Sequence, residues 1–144
     1  MTAAEQPDTW LHPQGEGIPI LRTSPVTATF WEGVDAGELR YQRCRRCGTA
    51  VFNPAHVCRN CTSPDLEWQV SAGTGTLYSY TICHRPMTPA FTTPYAPVLV
   101  DVDEGYQMLS DLVGCDASDV HVGMRVQVCF HRIGDRTLPY FEPA

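Results

Sequence analysis

The chain has 144 residues, 43% of them hydrophobic, and a formal net charge of −6. That suffices for one ordinary core or two small modules. All ten basic residues are arginine, which excludes a Schiff-base lysine or the lysine of a phosphate-binding loop.

The charge is uneven. Residues 1–39 set six acids against Arg22, and residues 40–70 set five arginines against Asp65 and Glu67. Residues 71–144 set four arginines against eight acids. Seven cysteines would suit a secreted scaffold, but no apolar run of signal length opens the chain and none reaches transmembrane length. An odd cysteine count without an export signal points to a reducing cytoplasm and no membrane.

Residues 1–25 read as an extended or partly disordered arm, spaced by Pro7, Pro13 and Pro19. Trp10 and Leu11 are its candidate anchors, on the domain or on a partner. Ser24–Pro25 predicts a helix start, with Ser at the N-cap and Pro in the first turn. Val26, Phe30 and Val34 follow on one face with Trp31 beside them, and Gly37 is placed to end the helix. The helix should pack on the next module, with Phe30 and Trp31 as the side chains that another subunit could meet.

Tyr41–Ser63 carries the strongest signal. Cys44/Cys47 and Cys58/Cys61 form two Cys-x-x-Cys turns ten residues apart. Each turn aims two sulfurs at one centre, and two turns complete a tetrahedral shell suited to structural Zn²⁺. Gly48 and Thr62 follow the knuckles where the chain must bend back. Two disulfides or a redox dithiol are the alternatives, but neither pair opens a helix as a redox dithiol does. Rubredoxin-like iron competes with zinc, because a tetrathiolate site does not choose its metal by geometry alone. Strands at Leu39–Arg43, Ala50–Phe52 and Leu66–Val70 make a zinc ribbon that, with the helix, fills residues 26–71. Trp68 is available to cover the metal, and His56 stands outside a shell four cysteines already complete. So small a module cannot fold on its own apolar surface; the metal must add on the order of 10 kcal/mol.

From residue 72 the pattern is β. Strands are predicted at Thr76–His84, Pro97–Asp103, Tyr106–Val113, Met124–Arg132 and Thr137–Phe141. Turns fall at Glu104–Gly105 and Gly134–Asp135, with one helical turn at Asp116–Val120. Five strands with a break between third and fourth suit a small Greek-key barrel of the OB type, a generic sandwich being the competitor. The Gly73-Thr74-Gly75-Thr76 run lacks the helix and lysine of a phosphate loop, and marks a bend or bulge.

Catalytic candidates are thin. Cys83 and His84 are adjacent and point to opposite faces of a strand. Cys83, Cys115 and Cys129 read as small apolar residues, and His121 and His131 as lone histidines. Asp101, Asp103, Glu104 and Asp111 lie near one hairpin, with Asp101 and Asp103 on its solvent face. The Arg85–Ala96 loop, stiffened by Pro86, Pro89 and Pro94, carries Met87, Phe91 and Tyr95. It reads as a contact surface or as a cover over the barrel mouth.

Together these motifs resemble a widespread bacterial and archaeal family of zinc-ribbon plus OB-fold proteins, originally a domain of unknown function. Its members accompany thiolase-superfamily enzymes and acyl-CoA hydratases. The resemblance runs over about residues 26–143: Phe30-Trp31-Glu32-Gly33, Leu39–Cys44, Cys58-Arg59-Asn60-Cys61, Gly73–Ser79, His84-Arg85-Pro86, Leu112–Cys115 and Val122–Met124. It implies a non-catalytic accessory subunit, in a heterotetramer or larger hetero-oligomer with a thiolase-like enzyme (thiolase or retro-aldolase) and sharing its acyl-CoA. Related hydratases carry such a domain at their C-terminus in steroid side-chain degradation; no hydratase domain stands here, so the separate arrangement is implied. Arg85, Phe91 and Tyr95 are the candidate acyl-CoA or partner contacts.

A single-stranded nucleic-acid module is the alternative function, opposed by the acidic β domain, since strand-binding barrels need a positive groove. An independent enzyme using Cys83 or the carboxylates is the third.

Overall fold

A computed structural model describes residues 8–20 and 22–144. Residues 1–7, including the predicted spacer Pro7, and Leu21 lie outside the described residues.

One short helix, α1 (Ala28–Asp35), precedes a three-stranded sheet and a five-stranded barrel. β1 (Arg40–Cys44) lies between β2 (Ala50–Val51) and β3 (Leu66–Val70), antiparallel to both. The barrel comprises β4 (Thr74–Tyr80), β5 (Ala96–Val102), β6 (Tyr106–Leu112), β7 (Arg125–Ile133) and β8 (Arg136–Pro143), closed in the order β4-β5-β6-β8-β7. A single 3₁₀ turn at Ala117–Asp119 fills the break between β6 and β7. This is the mainly β ribbon-plus-OB architecture read from the sequence.

Several boundaries moved for physical reasons. Ser24 does not cap the helix: its carbonyl accepts from the Thr27 amide at 3.0 Å, making a turn of Pro25–Thr27. The helix therefore starts at Ala28 after Thr27, with no side-chain cap. It also serves both modules, touching β1 and β8 rather than the ribbon alone. Arg40 fixes it to the ribbon. Its side chain crosses Gly33, where an added Cβ would meet it at 2.6 Å, and its guanidinium reaches Thr29 O at 3.2 Å and Glu38 at 3.0 Å.

The strand predicted at Thr76–His84 starts two residues earlier and stops at Tyr80. A register shift between Leu77 and Ser79 breaks its alternation, so Tyr78, Ser79 and Tyr80 are all exposed. Gly73 just before the strand and Gly75 within it mark close approach rather than the bulge itself. A Cβ on Gly75 would lie 2.5 Å from Asp101 O on the neighbouring strand.

The turn between β5 and β6 is tied down by its acids. Asp103 takes two bonds from Arg125, at 2.9 and 2.7 Å, and one from the Thr74 hydroxyl at 2.8 Å, joining β4 and β7. Glu104 accepts from Ser71 Oγ and from the Ala72 amide, both at 2.7 Å, fixing the link between ribbon and barrel.

The arm is extended but not loose over residues 8–20. Leu11, 1% exposed, sits in the main core, and its amide and carbonyl bond Cys115 O and Gly114 N at 2.8 and 2.9 Å. Thr9 and Asp116 bond through their side chains. Ile18 packs on a second small cluster of Val113, Ile133 and Tyr140.

Replacing Leu11 by Ala should cost about 2–5 kcal/mol in urea unfolding, because the arm supplies core rather than decoration. No measurable change would show the arm to be dispensable. Asp103 titrates near 2, held down by the Arg125 hydrogen bonds and the Thr74 hydroxyl. Its folded value lies below its unfolded value, so its contribution is present above about pH 4 and lost as pH falls through about 2. Asp103 is 44% exposed, so water screens that contribution to at most about 1 kcal/mol. Asp103→Asn should lower the neutral plateau of a stability–pH curve by up to about 1 kcal/mol and flatten its acid limb.

Candidate functional site

The two knuckles are built alike. After each Cys-x-x-Cys the chain turns through a left-handed residue, Gly48 at φ +78° and Thr62 at φ +62°. Each turn closes with an amide bonded to the first cysteine's carbonyl, Gly48 to Cys44 at 2.8 Å and Thr62 to Cys58 at 2.9 Å. Cys44 ends β1, so the sheet register places the first knuckle, while the second hangs on a loop.

That loop is held by Gln42, a buried side chain two residues before Cys44. Its Nε2 donates to Ala55 O at 3.1 Å and its Oε1 accepts from the Ala55 amide at 2.8 Å. The sequence reading missed this clamp. The available signal was a polar residue in register with Cys44 on the strand entering the knuckle.

The four sulfurs converge within 4.8 Å of one another, with Cys44–Cys61 at 3.5 Å and Cys47–Cys58 at 3.6 Å. Tetrahedral zinc with bonds of about 2.3 Å sets sulfurs about 3.8 Å apart, so the cage fits the ion. Donors already point at the sulfurs: Asn60 N at 3.4 Å from Cys58 Sγ, and Asn60 Nδ2 at 3.6 Å and Thr49 Oγ1 at 3.1 Å from Cys47 Sγ. Hydrogen bonds from Thr49 and Asn60 lower the Cys47 thiol to about 5. At Cys61 the Ser63 amide pulls downward, but burial and the other three thiols outweigh it and lift the group to about 11. Four sulfur groups this close cannot all ionise without a cation among them, which is what the site is built to hold. With every donor a cysteine there is no position for substrate, so a bound zinc would be structural.

Trp68 does not cover the cluster, as the sequence reading expected. It packs on the main core, and Val51, Ala55 and Leu66 enclose the sulfurs instead. The β1–β3 register sets Trp68 beside Gln42, two residue pairs inward from the knuckle end of the sheet.

The aromatic residues of the ribbon face the barrel. Trp31, Phe30, Phe52, Tyr106 and Tyr41 form a continuous chain of ring contacts with centroids 4.9 to 5.7 Å apart. Phe30 is only 7% exposed, with most of its surface inside this chain, whereas Trp31 is half-buried at its end. Beside them runs a groove of about 410 Å³ between α1, β6 and β8, roofed by Phe91.

The Arg85–Ala96 loop divides. Arg85 to Pro89 is exposed, with Met87 82% so. Phe91 and Tyr95 fold back with centroids 5.6 Å apart, and Tyr95 is buried at 8% against the barrel, bridging Cys83. Gln14 of the arm holds the returning half, accepting from the Thr92 amide at 2.7 Å and donating to its carbonyl at 3.0 Å.

Neither Cys115 nor Cys129 is hydrogen-bonded to a base among the described residues. Cys115 lies in the core, and burial pushes Cys129 up to about 12. His131 packs edge-on against Tyr140, and His84 is exposed beyond the end of β4. The four carboxylates do not act together. Asp101 accepts from Gln107 at 2.8 Å, Asp103 and Glu104 are engaged as described, and Asp111 faces the groove. No helix among the described residues is long and apolar enough to cross a membrane.

Two family models match in tandem: the rubredoxin-like zinc ribbon domain of ChsH2 over residues 31–67 and its C-terminal OB-fold domain over residues 68–131. The chain is 36% identical over 121 residues to the 3-oxo-4,17-pregnadiene-20-carboxyl-CoA hydratase alpha subunit of Mycobacterium tuberculosis. The match covers 84% of this chain but only 39% of that protein. A DUF35 domain-containing scaffold protein of Methanocaldococcus jannaschii is 31% identical over 123 residues, covering 81% of this chain and 85% of that one. Among solved structures, a chain of the Ltp2-ChsH2(DUF35) aldolase superposes with a TM-score of 0.79 at 34% identity, over 86% of this chain and 98% of that one.

Freshly purified protein should carry one zinc per chain, and Cys58→Ser should abolish it and unfold the ribbon, read by metal analysis and circular dichroism. Gln42→Ala leaves the Ala55 amide and carbonyl unpaired and loosens the second knuckle. Zinc affinity in a chelator competition should fall about 10–100-fold; an unchanged affinity would remove Gln42 from the site.

Proposed function

The chain belongs to the ChsH2/DUF35 family of rubredoxin-like zinc-ribbon and OB-fold proteins, and from that premise we propose that it is a non-catalytic accessory subunit. Its partner is a thiolase-superfamily enzyme, a thiolase or retro-aldolase, acting on an acyl-CoA in steroid side-chain or lipid degradation. The two assemble in the reducing cytoplasm as a heterotetramer or larger hetero-oligomer.

The observation that carries this reading is the likeness to a chain of an aldolase assembly, spanning nearly the whole of that chain. The site chemistry supports it. The metal shell consists of cysteines with no open position, and Cys115 and Cys129 lie among apolar side chains. Such a chain contributes shape and a docking face, while nucleophile and base come from the partner. Among the residues singled out from the sequence, Arg85 is exposed and, among the described residues, unpaired, so it could meet a CoA phosphate or a partner carboxylate; Phe91 roofs the groove, and Tyr95 supports the loop from beneath.

Co-expression with the thiolase-like protein encoded nearest to it should yield a stable complex of defined stoichiometry by light scattering. The complex should turn over acyl-CoA and the isolated chain should not. Turnover by the isolated chain, or a chain that stays monomeric while the enzyme works fully without it, would overturn the reading.

A further inference from the structure

The barrel is not zipped evenly. β6 pairs with β5 at seven positions but meets β8 at one, Leu112↔Phe141. Beyond that point the nearest link between them is Ser110 Oγ donating to Pro139 O at 2.8 Å. The apolar groove lies over this parting, between Trp31, Leu109, Leu138 and Phe91. Leu109 stands at its lip, 70% exposed.

The polar groups of the groove wall are accounted for, with one exception. Ser110 is bonded to Pro139, and Gln14 spends both ends of its amide on Thr92. The Tyr140 hydroxyl accepts from the Gln14 amide at 3.3 Å. Asp111 is the one charged group of the wall, and no hydrogen bond reaches its carboxylate among the described residues. It forms no ion pair among the described residues, whose bridges involve other acids. The only influence on its carboxyl is loss of water, which pushes it above the ordinary range. A half-buried carboxylate without a partner is costly unless something supplies a cation.

We propose that this groove seats an apolar segment of the partner enzyme carrying one arginine or lysine, whose cation pairs with Asp111. The inference rests on the accessory-subunit reading above and names the face that reading requires. Charge complementarity selects the occupant. An apolar channel with one free anion fits an apolar stretch interrupted by one cation, and it repels the phosphates of a CoA arm. The chain itself has no lysine, and the ion pairs of its described residues leave Asp111 aside. Exposed Leu109 and half-buried Trp31 supply the rim that such a segment would dry on docking.

The test uses the purified complex with the co-expressed thiolase-like protein. Asp111→Asn should weaken the Kd by at least about 30-fold, the cost of leaving the partner's cation unpaired. The free variant should keep its zinc and hold or raise its Tm, because a desolvated charge has gone. Leu109→Asp, at an exposed position, should weaken binding comparably without unfolding the chain. A photo-crosslinker at position 109 should capture a partner peptide with an arginine or lysine close to the link. Unchanged Kd in both variants overturns this inference and leaves the accessory reading standing. Wild-type chain without affinity for the enzyme overturns both. Capture of a second copy of this chain, or of a partner peptide with no basic residue, also overturns the assignment.

Discussion

Everything in the N-terminal half depends on four sulfurs being forced within one ion's reach. The cluster they anchor is small: Cys44, Val51 and Cys58 are its buried members, with Ala55, Cys61 and Leu66 against them. That is too little apolar surface to offset the entropy of ordering two knuckles and three short strands. Closely packed thiols repel as they ionise, so the unliganded arrangement is itself unfavourable. A divalent ion reverses the sign of that term and turns crowding into binding energy. The ribbon is therefore a folded module to the extent that metal occupies it.

β1 transmits this constraint to the rest of the chain. Its C-terminal residue is a ligand, Gln42 clamps the second knuckle, Tyr41 joins the aromatic chain and Arg40 grips the helix. Residues of one strand, alternating in direction, thus tie the metal, the helix and the barrel together. Stacked rings at Phe52–Tyr106 and the bonds of Glu104 to Ser71 and Ala72 complete the junction. Hydrophobic burial gives this junction its strength and the hydrogen-bonded carboxylate gives it its register. Loss of metal would be felt as far as the groove, because Phe30, Trp31 and Phe52 line it.

The metal cage is closed by sulfur on all four sides, and the rest of the described chain presents surface. That surface is differentiated. The Arg85–Pro89 segment is exposed and stiffened by proline, while the groove beside α1 is concave, apolar and marked by one carboxylate. Convex and concave features on neighbouring elements suit a subunit gripping a partner through more than one element.

The sequence by itself determined the metal shell, the order of modules and the strand count. These are local properties: ligand spacing belongs to a tight turn, and alternation belongs to a strand. It placed Cys44, Cys47, Cys58 and Cys61 on one centre without any knowledge of the barrel. Tertiary structure decided what local pattern does not encode. Thr27 rather than Ser24 precedes the helix because the preceding turn satisfies Ser24 first. Trp68 turned to the barrel because a larger apolar surface was there to bury it. Leu11 became core although nothing periodic surrounds it, since the surface it covers comes from residues a hundred positions away. Asp111 looked like a member of an acidic cluster, yet Asp101, Asp103 and Glu104 each accept hydrogen bonds and Asp111 accepts none among the described residues. Which charge is left without a partner is a property of the packed chain, because the donors to Asp103 and Glu104 lie 22 to 33 positions away in sequence.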